Sequence, residues 1–207
     1  MYLEGKFREY LDDLAAKKPA PGGGSAAATV GALGVSLLSM AANFTLGKKE
    51  YKDVEPEIRE ILSSSEKLRK VLEQLVDEDI AAYQKVSAAY NMAKDTEEQK
   101  KARTEAIQAA LRAAMAAPLA VCRNLYEAAK LCRPLLEKAN ANLVSDVGVG
   151  AEFIAAGFIA ALLNVEINLP SIKDRSLVTN IRRELSKKEK EIRSIREEVV
   201  SKTREKI

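Results

Sequence analysis

The sequence predicts an all-helical protein, a bundle with long, Ala-rich buried helices. Two observations predict this fold class: a core poor in aromatic residues, and two long stretches with little or no charge. Hydrophobic residues make up 47% of the 207 residues but aromatic residues only 5%, and Trp is absent. A core built from Ala, Leu, Val and Ile favours closely packed helices over a β-sandwich. One domain over residues 1–207 is expected for this length.

The first part of the chain is expected to form three helices. A short amphipathic helix over residues 2–16 is indicated by apolar residues at spacings of three and four, Leu3, Phe7, Leu11 and Leu14. Residues 26–46 contain no charge and have a helix-forming composition throughout. Glu55-Pro56-Glu57 predicts the first turn of a helix that continues to about Met92, because proline and acidic residues are favoured there.

The second part is expected to form three more helices. One begins at Glu97 and runs to about Leu131, with a bend near Pro118 and a connecting turn from Pro134. A second buried helix covers residues 143–169, where Gly148, Gly150 and Gly157 let neighbours come close. After Pro170, heptad spacing predicts a long final helix with the buried seam Val178, Ile181, Leu185, Lys188, Ile192, Ile195 and Val199.

The composition excludes several kinds of chemistry. The chain has no histidine, so Ser-His and Cys-His triads and His-ligated metals are excluded, and proton transfer must use carboxylates, Lys, Tyr, Cys or water. Cys122 and Cys132 lie ten residues apart in a helical segment, which is typical of packing residues and not of a disulfide framework or zinc site. The net charge of +3 gives no electrostatic footprint of a nucleic-acid binder.

The location is expected to be cytoplasmic. The first ten residues include charged side chains, whereas a secretory signal needs an unbroken apolar region. Residues 26–46 approach the length of a membrane span, but they are rich in Ala, Ser, Thr and Gly and lack aromatic belts. A central bundle helix or a dimer interface is the favoured interpretation of this segment, so no membrane partner is expected.

Asp79 is the first candidate for chemistry, because it interrupts an apolar stripe. Leu68, Leu72, Leu75, Asp79, Ala82 and Val86 follow one another at spacings of three and four. A carboxyl group on a core-facing stripe is costly unless paired, and desolvation raises its pKa toward the range of a proton donor near neutrality. Asp77 points elsewhere on the helix. A structural Asp paired with basic or backbone donors is the alternative, and position alone does not decide between them.

The glycine-rich loop is the second candidate. Gly22, Gly23, Gly24 and Ser25 open the uncharged helix, and free amides at a helix N-terminus bind anions or polar ligand edges. The loop lacks the Gly-Lys-Ser/Thr ending of a Walker motif, and no strand precedes it as a dinucleotide fingerprint requires. A plain N-cap by Ser25 is the alternative.

Two weaker candidates flank the uncharged helices. Lys48 and Lys49 follow the first of them and would either hold ligand carboxylates or form its solvated, dipole-complementing end. Asp146 and Asn164 lie near the start and end of the second, where they would bind a ligand or simply cap and terminate the helix.

In combination these motifs resemble one known family. The segments Pro19-Ala-Pro-Gly-Gly-Gly-Ser25, Leu46-Gly-Lys-Lys-Glu-Tyr51, Leu75-Val-Asp-Glu-Asp79, Ser145-Asp146 and Asn164-Val-Glu-Ile-Asn-Leu169 are similar, in order and spacing, to the cyclodeaminase domain of formimidoyltransferase-cyclodeaminase. The same family includes stand-alone methenyltetrahydrofolate cyclohydrolases. Each motif is modest alone, but the ordered set is specific.

The resemblance implies a dimeric helical folate enzyme. The enzyme would cyclise 5-formimidoyltetrahydrofolate to 5,10-methenyltetrahydrofolate with loss of ammonia. Alternatively, it would act as a methenyltetrahydrofolate cyclohydrolase. It implies no metal, nicotinamide or other permanently bound cofactor, only a tetrahydrofolate derivative as substrate. Asp79 would be the catalytic acid. By position, Gly22 to Ser25 would approach the pterin or reacting carbon, Lys48 and Lys49 the glutamate tail, and Asp146 or Asn164 the polar pterin edges.

Two expectations concern assembly and the competing class. Two nearly uncharged helices have more apolar surface than a single bundle readily buries. A homodimer with a buried helical interface is therefore expected. The competing hypothesis is a non-enzymatic helical interaction protein, in which Asp79 is structural and the heptad seam of the last helix binds a partner.

Overall fold

The computed structural model describes residues 5–207, except the side chains of residues 82 and 83, and that part of the chain contains helices and no strand. The α-helices are α1 Phe7–Ala15, α2 Gly23–Asn43, α3 Glu55–Tyr90, α4 Glu97–Lys138, α5 Val144–Asn168 and α6 Arg175–Lys206. Short 3-10 helices lie at Lys49–Val54, Ala141–Leu143 and Leu169–Ser171. The predicted all-helical class is confirmed.

Four helices form the central bundle. α2 packs against α3 and α5, and α4 closes the bundle by packing against α3 and α5 from the other side. α6 lies along α4 and α5. α2 and α5 run antiparallel, since Gly23 faces Asn164 at one end of the pair and Gly34 faces Gly150 further along. Within residues 5–207, this pair leaves large apolar side chains exposed, among them Leu33 of α2 and Leu163 and Ile167 of α5.

Glycines set the distance between α2 and α5. A Cβ added to Gly34 would lie 2.9 Å from the carbonyl oxygen of Gly150, and one added to Gly150 would lie 3.0 Å from that of Gly34. One added to Gly157 would lie 3.1 Å from the backbone nitrogen of Gly31. The two backbones therefore touch, as the glycines of the second buried helix predicted.

Most predicted helix ends lie within three residues of those observed, but the predicted end of α4 near Leu131 is wrong. The helix does not end before Pro134; it continues to Lys138 with Pro118 and Pro134 inside it. A proline removes only its own backbone donor. The following residues Leu135 and Leu136 are buried in the core, and their packing keeps the last turn helical. At its other end α4 has a capping box between Thr96 and Gln99.

The first helix also differs from its predicted pattern. Residues 1–4, and with them Leu3, lie outside the described part of the chain. Within α1, Phe7 and Leu11 are exposed, whereas Tyr10 is buried. The Tyr10 hydroxyl bonds to Ser25 Oγ at 2.9 Å, so the ring is buried without leaving its polar atom unpaired.

The last helix follows its predicted seam. All the apolar residues of the seam are buried, and Lys188 is partly buried with its Nζ 3.9 Å from the centre of the Tyr126 ring. Both cysteines are free and buried, and burial raises the pKa of each thiol to about 12. They are packing residues, as predicted.

Three helical stretches of the described chain are long and apolar enough to cross a membrane. They are residues 23–43, a part of 97–138 and a part of 141–171, and only about half of each apolar window is buried inside the protein (56%, 44% and 50%). Length and composition alone define this property. It shows that the bundle leaves much apolar surface uncovered.

Candidate active site

Asp79 of α3 caps the N-terminus of α2. Its Oδ2 accepts a hydrogen bond from the Ser25 backbone N–H at 3.0 Å. Gly22 is the N-cap residue of α2, and no side-chain cap bond is formed by it. The Ser25 amide is one of the first-turn donors that a helix leaves without an intrahelical partner. The carboxylate of a different helix therefore accepts the hydrogen bond of this amide. The alternative prediction, that Ser25 is the N-cap of the helix, is wrong, because the N-cap is Gly22.

Gly24 gives Asp79 the space for this contact. A Cβ added to Gly24 would overlap all three atoms of the Asp79 carboxyl group. Gly23 differs, because a Cβ there would only touch the Asn164 side chain at 3.5 Å. Around Gly22 there is open space. The glycine loop was predicted to approach a ligand, but at Gly24 the group that approaches is the Asp79 carboxyl group.

A cavity of about 370 Å³ opens beside Asp79, within the usual range of small-molecule sites. It lies between the glycine loop, the second half of α3, the middle of α4 and the end of α5. Its lining residues are Pro19, Ala20, Gly22, Gly23, Gly24, Asp79, Ile80, Val86, Ala114, Pro118, Asn164, Ile167 and Asn168. Among these described lining residues, Asp79 and the two asparagines are polar, and the others contribute apolar side chains or backbone.

The surroundings of Asp79 favour its protonated form. Burial raises the pKa of the carboxyl group above its ordinary value, and the hydrogen bond from the Ser25 amide opposes part of this shift. Asp79 is partly buried, and its stripe neighbours Leu72 and Leu75 are in the core. Asp77 does not line the cavity. This arrangement leaves a carboxyl group facing the cavity that can release and accept a proton.

A cluster of hydroxyl groups lies behind the glycine loop. Ser25 Oγ and Tyr10 Oη are 2.9 Å apart, and Thr29 Oγ1 donates to Tyr10 Oη at 3.4 Å. Tyr10 was not predicted as part of the site. Its spacing of three from Phe7 and four from Leu14 was the available signal, and the exposed Leu11 concealed it.

The predicted site residues fall into two groups. Gly22, Gly23, Gly24, Ser25, Asp79 and Asn164 come together at one end of the bundle. Lys48 and Lys49 are exposed beyond the other end of α2, a helix of 21 residues and thus about 30 Å long. Asp146 lies in the first turn of α5, about 27 Å along that helix from Asn164. One chain alone does not bring the two groups together.

The side-chain amides of Asn164 and Asn168 each donate one hydrogen bond to a backbone carbonyl of their own helix. Asn164 Nδ2 donates to the Ala160 carbonyl at 2.8 Å, and Asn168 Nδ2 donates to the Asn164 carbonyl at 2.8 Å. These bonds fix both side chains at the cavity wall. Within residues 5–207, no group of three or more acidic or cysteine side chains is arranged to hold a metal ion.

A sequence model of the Formiminotransferase-cyclodeaminase family matches residues 6–187. The chain belongs to this family. The Formiminotransferase-cyclodeaminase match contains Asp79, the glycine loop and Asn164, so the whole candidate site lies inside it.

Individual relatives support the assignment to this folate one-carbon family. The chain is 42% identical to a methenyltetrahydrofolate cyclohydrolase of Methylorubrum extorquens over 176 residues, 85% of each chain. It is 32% identical to the rat formimidoyltransferase-cyclodeaminase over 172 residues, which are 83% of this chain but 32% of the rat protein. The crystal structure of a formiminotetrahydrofolate cyclodeaminase from Thermotoga maritima superposes with a TM-score of 0.80 at 32% identity, covering 100% of this chain and 97% of that one. These relatives are enzymes, so the competing hypothesis of a non-enzymatic interaction protein is not supported.

Proposed function

We propose that the protein cyclises 5-formimidoyltetrahydrofolate to 5,10-methenyltetrahydrofolate with release of ammonia, using Asp79 as its acid and base. The proposal rests on one observation. A partly buried carboxyl group with a raised pKa faces a cavity of ligand size and is held by the N-terminus of α2. Groups with shifted pKa values in a cleft are typical of functional sites.

The chemistry needs a single proton carrier. N10 of the folate attacks the formimidoyl carbon on N5 and closes a five-membered ring; the carbon–nitrogen bond to the former imino nitrogen then breaks. N10 loses its proton, and the departing nitrogen must gain protons to leave as ammonia. Protonated Asp79 donates to that nitrogen, and its carboxylate accepts the proton of N10. The apolar cavity wall limits competing water.

A second candidate reaction is hydrolysis of the same ring. The methenyltetrahydrofolate cyclohydrolase that is 42% identical over 85% of both chains favours it. Water would add to the methenyl carbon, the bond from that carbon to N5 would break, and 10-formyltetrahydrofolate would form. In this direction the Asp79 carboxylate accepts one proton from water and returns it to N5, and the second water proton is released to solvent as the formyl carbonyl forms. The same side chain serves both reactions.

The remaining assignments of the folate site are part of the proposal. The amides of Gly22 and Gly23 and the Asn164 side chain are close enough to Asp79 to bind the polar edge of a pterin. Lys48 and Lys49 would bind the carboxylates of the glutamate tail, and Asp146 another polar edge. No permanently bound cofactor and no nucleic-acid partner are part of this function, and a cytoplasmic homodimer is proposed as its form.

The test is a spectroscopic assay of both reactions. The purified protein is incubated separately with 5-formimidoyltetrahydrofolate and with 5,10-methenyltetrahydrofolate, and the absorbance of the methenyl chromophore is followed. We expect that absorbance to appear in the first case for a cyclodeaminase, or to disappear above the uncatalysed rate in the second for a cyclohydrolase. Failure to accelerate either reaction would overturn the proposed function.

A further inference from the structure

Tyr10 anchors α1 to the bundle. Among the residues of this helix it is the one that is buried, whereas Phe7 and Leu11 are exposed. Leu14 is partly buried and packs against the core beside it. The Tyr10 hydroxyl group reaches the first turn of α2, where it contacts Ser25. The docking of the first helix therefore ends at the same turn that bonds to Asp79.

The Tyr10 hydroxyl is the centre of a hydroxyl cluster formed with Ser25 and Thr29. Its oxygen lies 2.9 Å from Ser25 Oγ, and Thr29 Oγ1 donates to it at 3.4 Å. Thr29 Oγ1 also donates to the Ser25 backbone carbonyl at 3.0 Å. Ser25 is fully buried. The hydroxyl cluster therefore contacts both the side chain and the backbone of Ser25.

The first turn of α2 needs a restraint of this kind. The N-cap Gly22 forms no side-chain cap bond, and the next two residues, Gly23 and Gly24, also lack side chains. Glycine loses more conformational freedom on folding than any other residue, so three in succession favour fraying. The first residue of α2 with a side chain that a neighbour can hold is Ser25.

Ser25 connects the hydroxyl cluster to Asp79. Its backbone N–H donates to Asp79 Oδ2 at 3.0 Å, while its Oγ contacts the Tyr10 hydroxyl. Both contacts belong to one residue, so a rotation of Ser25 that breaks one of them also misaligns the other. Hydrogen bonds weaken steeply when donor and acceptor are misaligned.

We infer that Tyr10 is a positioning residue for Asp79: its hydroxyl group holds Ser25 so that the Ser25 amide points at the Asp79 carboxyl group. The use of Asp79 on a folate rests on the proposed function, but the contacts from Tyr10 to Asp79 do not. Tyr10 is not among the residues that line the cavity. Its influence on a ligand therefore passes through Ser25 and Asp79.

The direction of the effect follows from the surroundings of the carboxyl group. Burial raises the pKa of Asp79, and the Ser25 amide opposes part of this rise. In Tyr10→Phe the ring keeps its packing, but Ser25 Oγ loses this contact and the amide is held less well. The carboxylate then loses stabilisation while its burial is unchanged, so the pKa of Asp79 rises further.

A different role for the same hydroxyl group predicts the opposite sign. The Tyr10–Ser25 contact also closes the loop that contributes Pro19 and Ala20 to the cavity wall. If the hydroxyl group served to seal this wall, its loss would admit water to Asp79. Hydration would lower the pKa of the carboxyl group toward its ordinary value. The sign of the change therefore distinguishes positioning from sealing.

The first test measures the pKa of Asp79 without a substrate. Protein labelled with ¹³C at the aspartate carboxyl carbons is titrated by NMR, and the resonance that is missing from Asp79→Asn identifies Asp79. We expect a midpoint at higher pH in Tyr10→Phe than in wild type. Ser25→Ala should shift it in the same direction, because this variant keeps the backbone amide and lacks Oγ. An unchanged or lowered midpoint in Tyr10→Phe would overturn the inference.

Two further variants make this titration decisive. Tyr126→Phe is the matched control, since it removes a hydroxyl group that bonds to Glu191 between α4 and α6, and Tyr126 does not line the cavity. It should titrate like wild type. Thr29→Val removes another bond of the hydroxyl cluster and leaves Tyr10 in place, so it serves if Tyr10→Phe does not fold. A raised midpoint in Thr29→Val supports the inference, and an unchanged one contradicts it.

The second test is a double-mutant cycle in turnover. Tyr10→Phe and Ser25→Ala should each lower kcat by about twofold to tenfold, as expected for one hydrogen bond, with KM changed less. The combined variant should lose no more than the weaker single variant, because both changes remove the same contact. Losses that multiply would show that Tyr10 acts independently of Ser25 and would disprove the inference.

The two tests separate this inference from the proposed function. Thermal midpoints establish that each variant is folded at the temperature of the assay. A lower thermal midpoint with an unchanged Asp79 titration and unchanged kcat would mean that Tyr10 is merely structural. If the wild type converts neither folate, the proposed function is disproved, and the NMR titration still decides whether Tyr10 positions Asp79.

Discussion

Asp79 experiences two opposing influences, and their balance determines what it can do. Burial raises the pKa of its carboxyl group, while the Ser25 amide stabilises the charged form. If burial were unopposed, the carboxyl group would bind its proton too tightly to release it. If all its oxygens were paired with donors, the carboxylate would not bind a proton. The single hydrogen bond therefore offsets part of the rise in pKa that burial causes, and a carboxyl group in this balance can both donate and accept a proton.

Replacing Asp79 by Asn should remove the proton and keep the shape. Its amide oxygen can still accept from Ser25, so the glycine loop stays in place. We expect turnover to fall by on the order of a hundredfold or more, with KM changed far less because the lost interaction belongs to the transition state. The measurement is steady-state kinetics on whichever folate the wild type converts.

Asp77→Asn is the matched control for this variant. Asp77 lies on the same helix two residues away and is not in the cavity wall. Its turnover should stay within a few-fold of wild type. Equal losses in the two variants, or a collapsed fold in Asp79→Asn, would show that Asp79 has a structural role.

The same variant should reveal the stability effect of the Asp79 carboxyl group. The ordinary pKa of 3.8 applies to the unfolded chain, and burial raises the pKa in the folded protein. The neutral carboxyl group therefore makes its full contribution to the free energy of unfolding below pH 3.8. This contribution is lost as the pH rises through the pKa of the folded protein. The thermal midpoint of Asp79→Asn minus that of wild type should increase from mild acid toward neutrality. A difference that is flat with pH would mean that burial does not perturb this group.

Gly24 should tolerate alanine much less well than Gly23. A methyl group at residue 24 displaces the Asp79 carboxyl group and breaks its bond to Ser25, and misplacement of about 1 Å can cost up to about 100-fold in rate. At residue 23 the methyl group only reaches ordinary contact with Asn164. Kinetics of Gly24→Ala and Gly23→Ala compare the two. Similar rates would show that Asp79 needs no fixed position.

Sequence patterns identified the residues of the site unevenly. Asp79 was predictable because a lone carboxyl group in an apolar stripe has few explanations. The reason for Gly24 was not predictable, because the carboxyl group of Asp79, which fills the space of its missing side chain, belongs to a different helix. Tyr10 was missed since its burial depends on two hydroxyl partners that no local pattern reveals.

At the scale of the helices, local signals located most boundaries and failed where packing decides. The proline near the start of α3 marked that helix start correctly, and α4 begins at Glu97 as predicted. Pro134 misled the prediction, because the buried Leu135 and Leu136 hold the helix together beyond it. The pairing of Gly34 with Gly150 required knowing which helices are neighbours, and single-helix periodicity does not contain that information.

The α2–α5 contact should be sensitive to a single methyl group. In Gly34→Ala, the new Cβ would lie 2.9 Å from the Gly150 carbonyl oxygen, a backbone atom that moves only with its helix. Overpacking of this kind destabilises by about 1–3 kcal/mol. Helix propensity alone would stabilise the variant by about 1 kcal/mol, so a loss must come from packing. Urea unfolding measures the change, and an unchanged or raised midpoint would contradict direct backbone contact.

At the scale of the whole molecule, composition predicted the class of fold but not which predicted site residues lie at the same end of the bundle. Small and aliphatic residues imply a helical bundle, and that expectation is confirmed. The length of α2 separates Lys48 and Lys49 from Asp79, because the lysines follow the C-terminal end of that helix and Asp79 caps its N-terminal end. The order of motifs along the chain did not predict this separation, because it does not show which helix ends are neighbours.

Salt should separate the two kinds of contact in the proposed dimer. The exposed apolar residues Leu33 of α2 and Leu163 of α5 carry no charge. If they form the dimer interface, light scattering should find the dimer intact at about 1 M NaCl, where the screening length falls to about 3 Å. KM for a folate with several glutamates should rise over the same range, because the attraction of Lys48 and Lys49 is screened. Dissociation by salt would contradict an apolar interface, and a constant KM would contradict ionic recognition of the tail.

The glycine contacts between α2 and α5 have a consequence for how such a site evolves. Gly23 and Asn164 are neighbours in the cavity wall, and they lie at the ends of the same two helices whose backbones meet at Gly34 and Gly150. Any residue that wedges the helices apart at their middle also widens the gap at their ends. Selection for a larger or smaller substrate can therefore act on interior residues that never touch it, and a search for specificity confined to the cavity wall would overlook them.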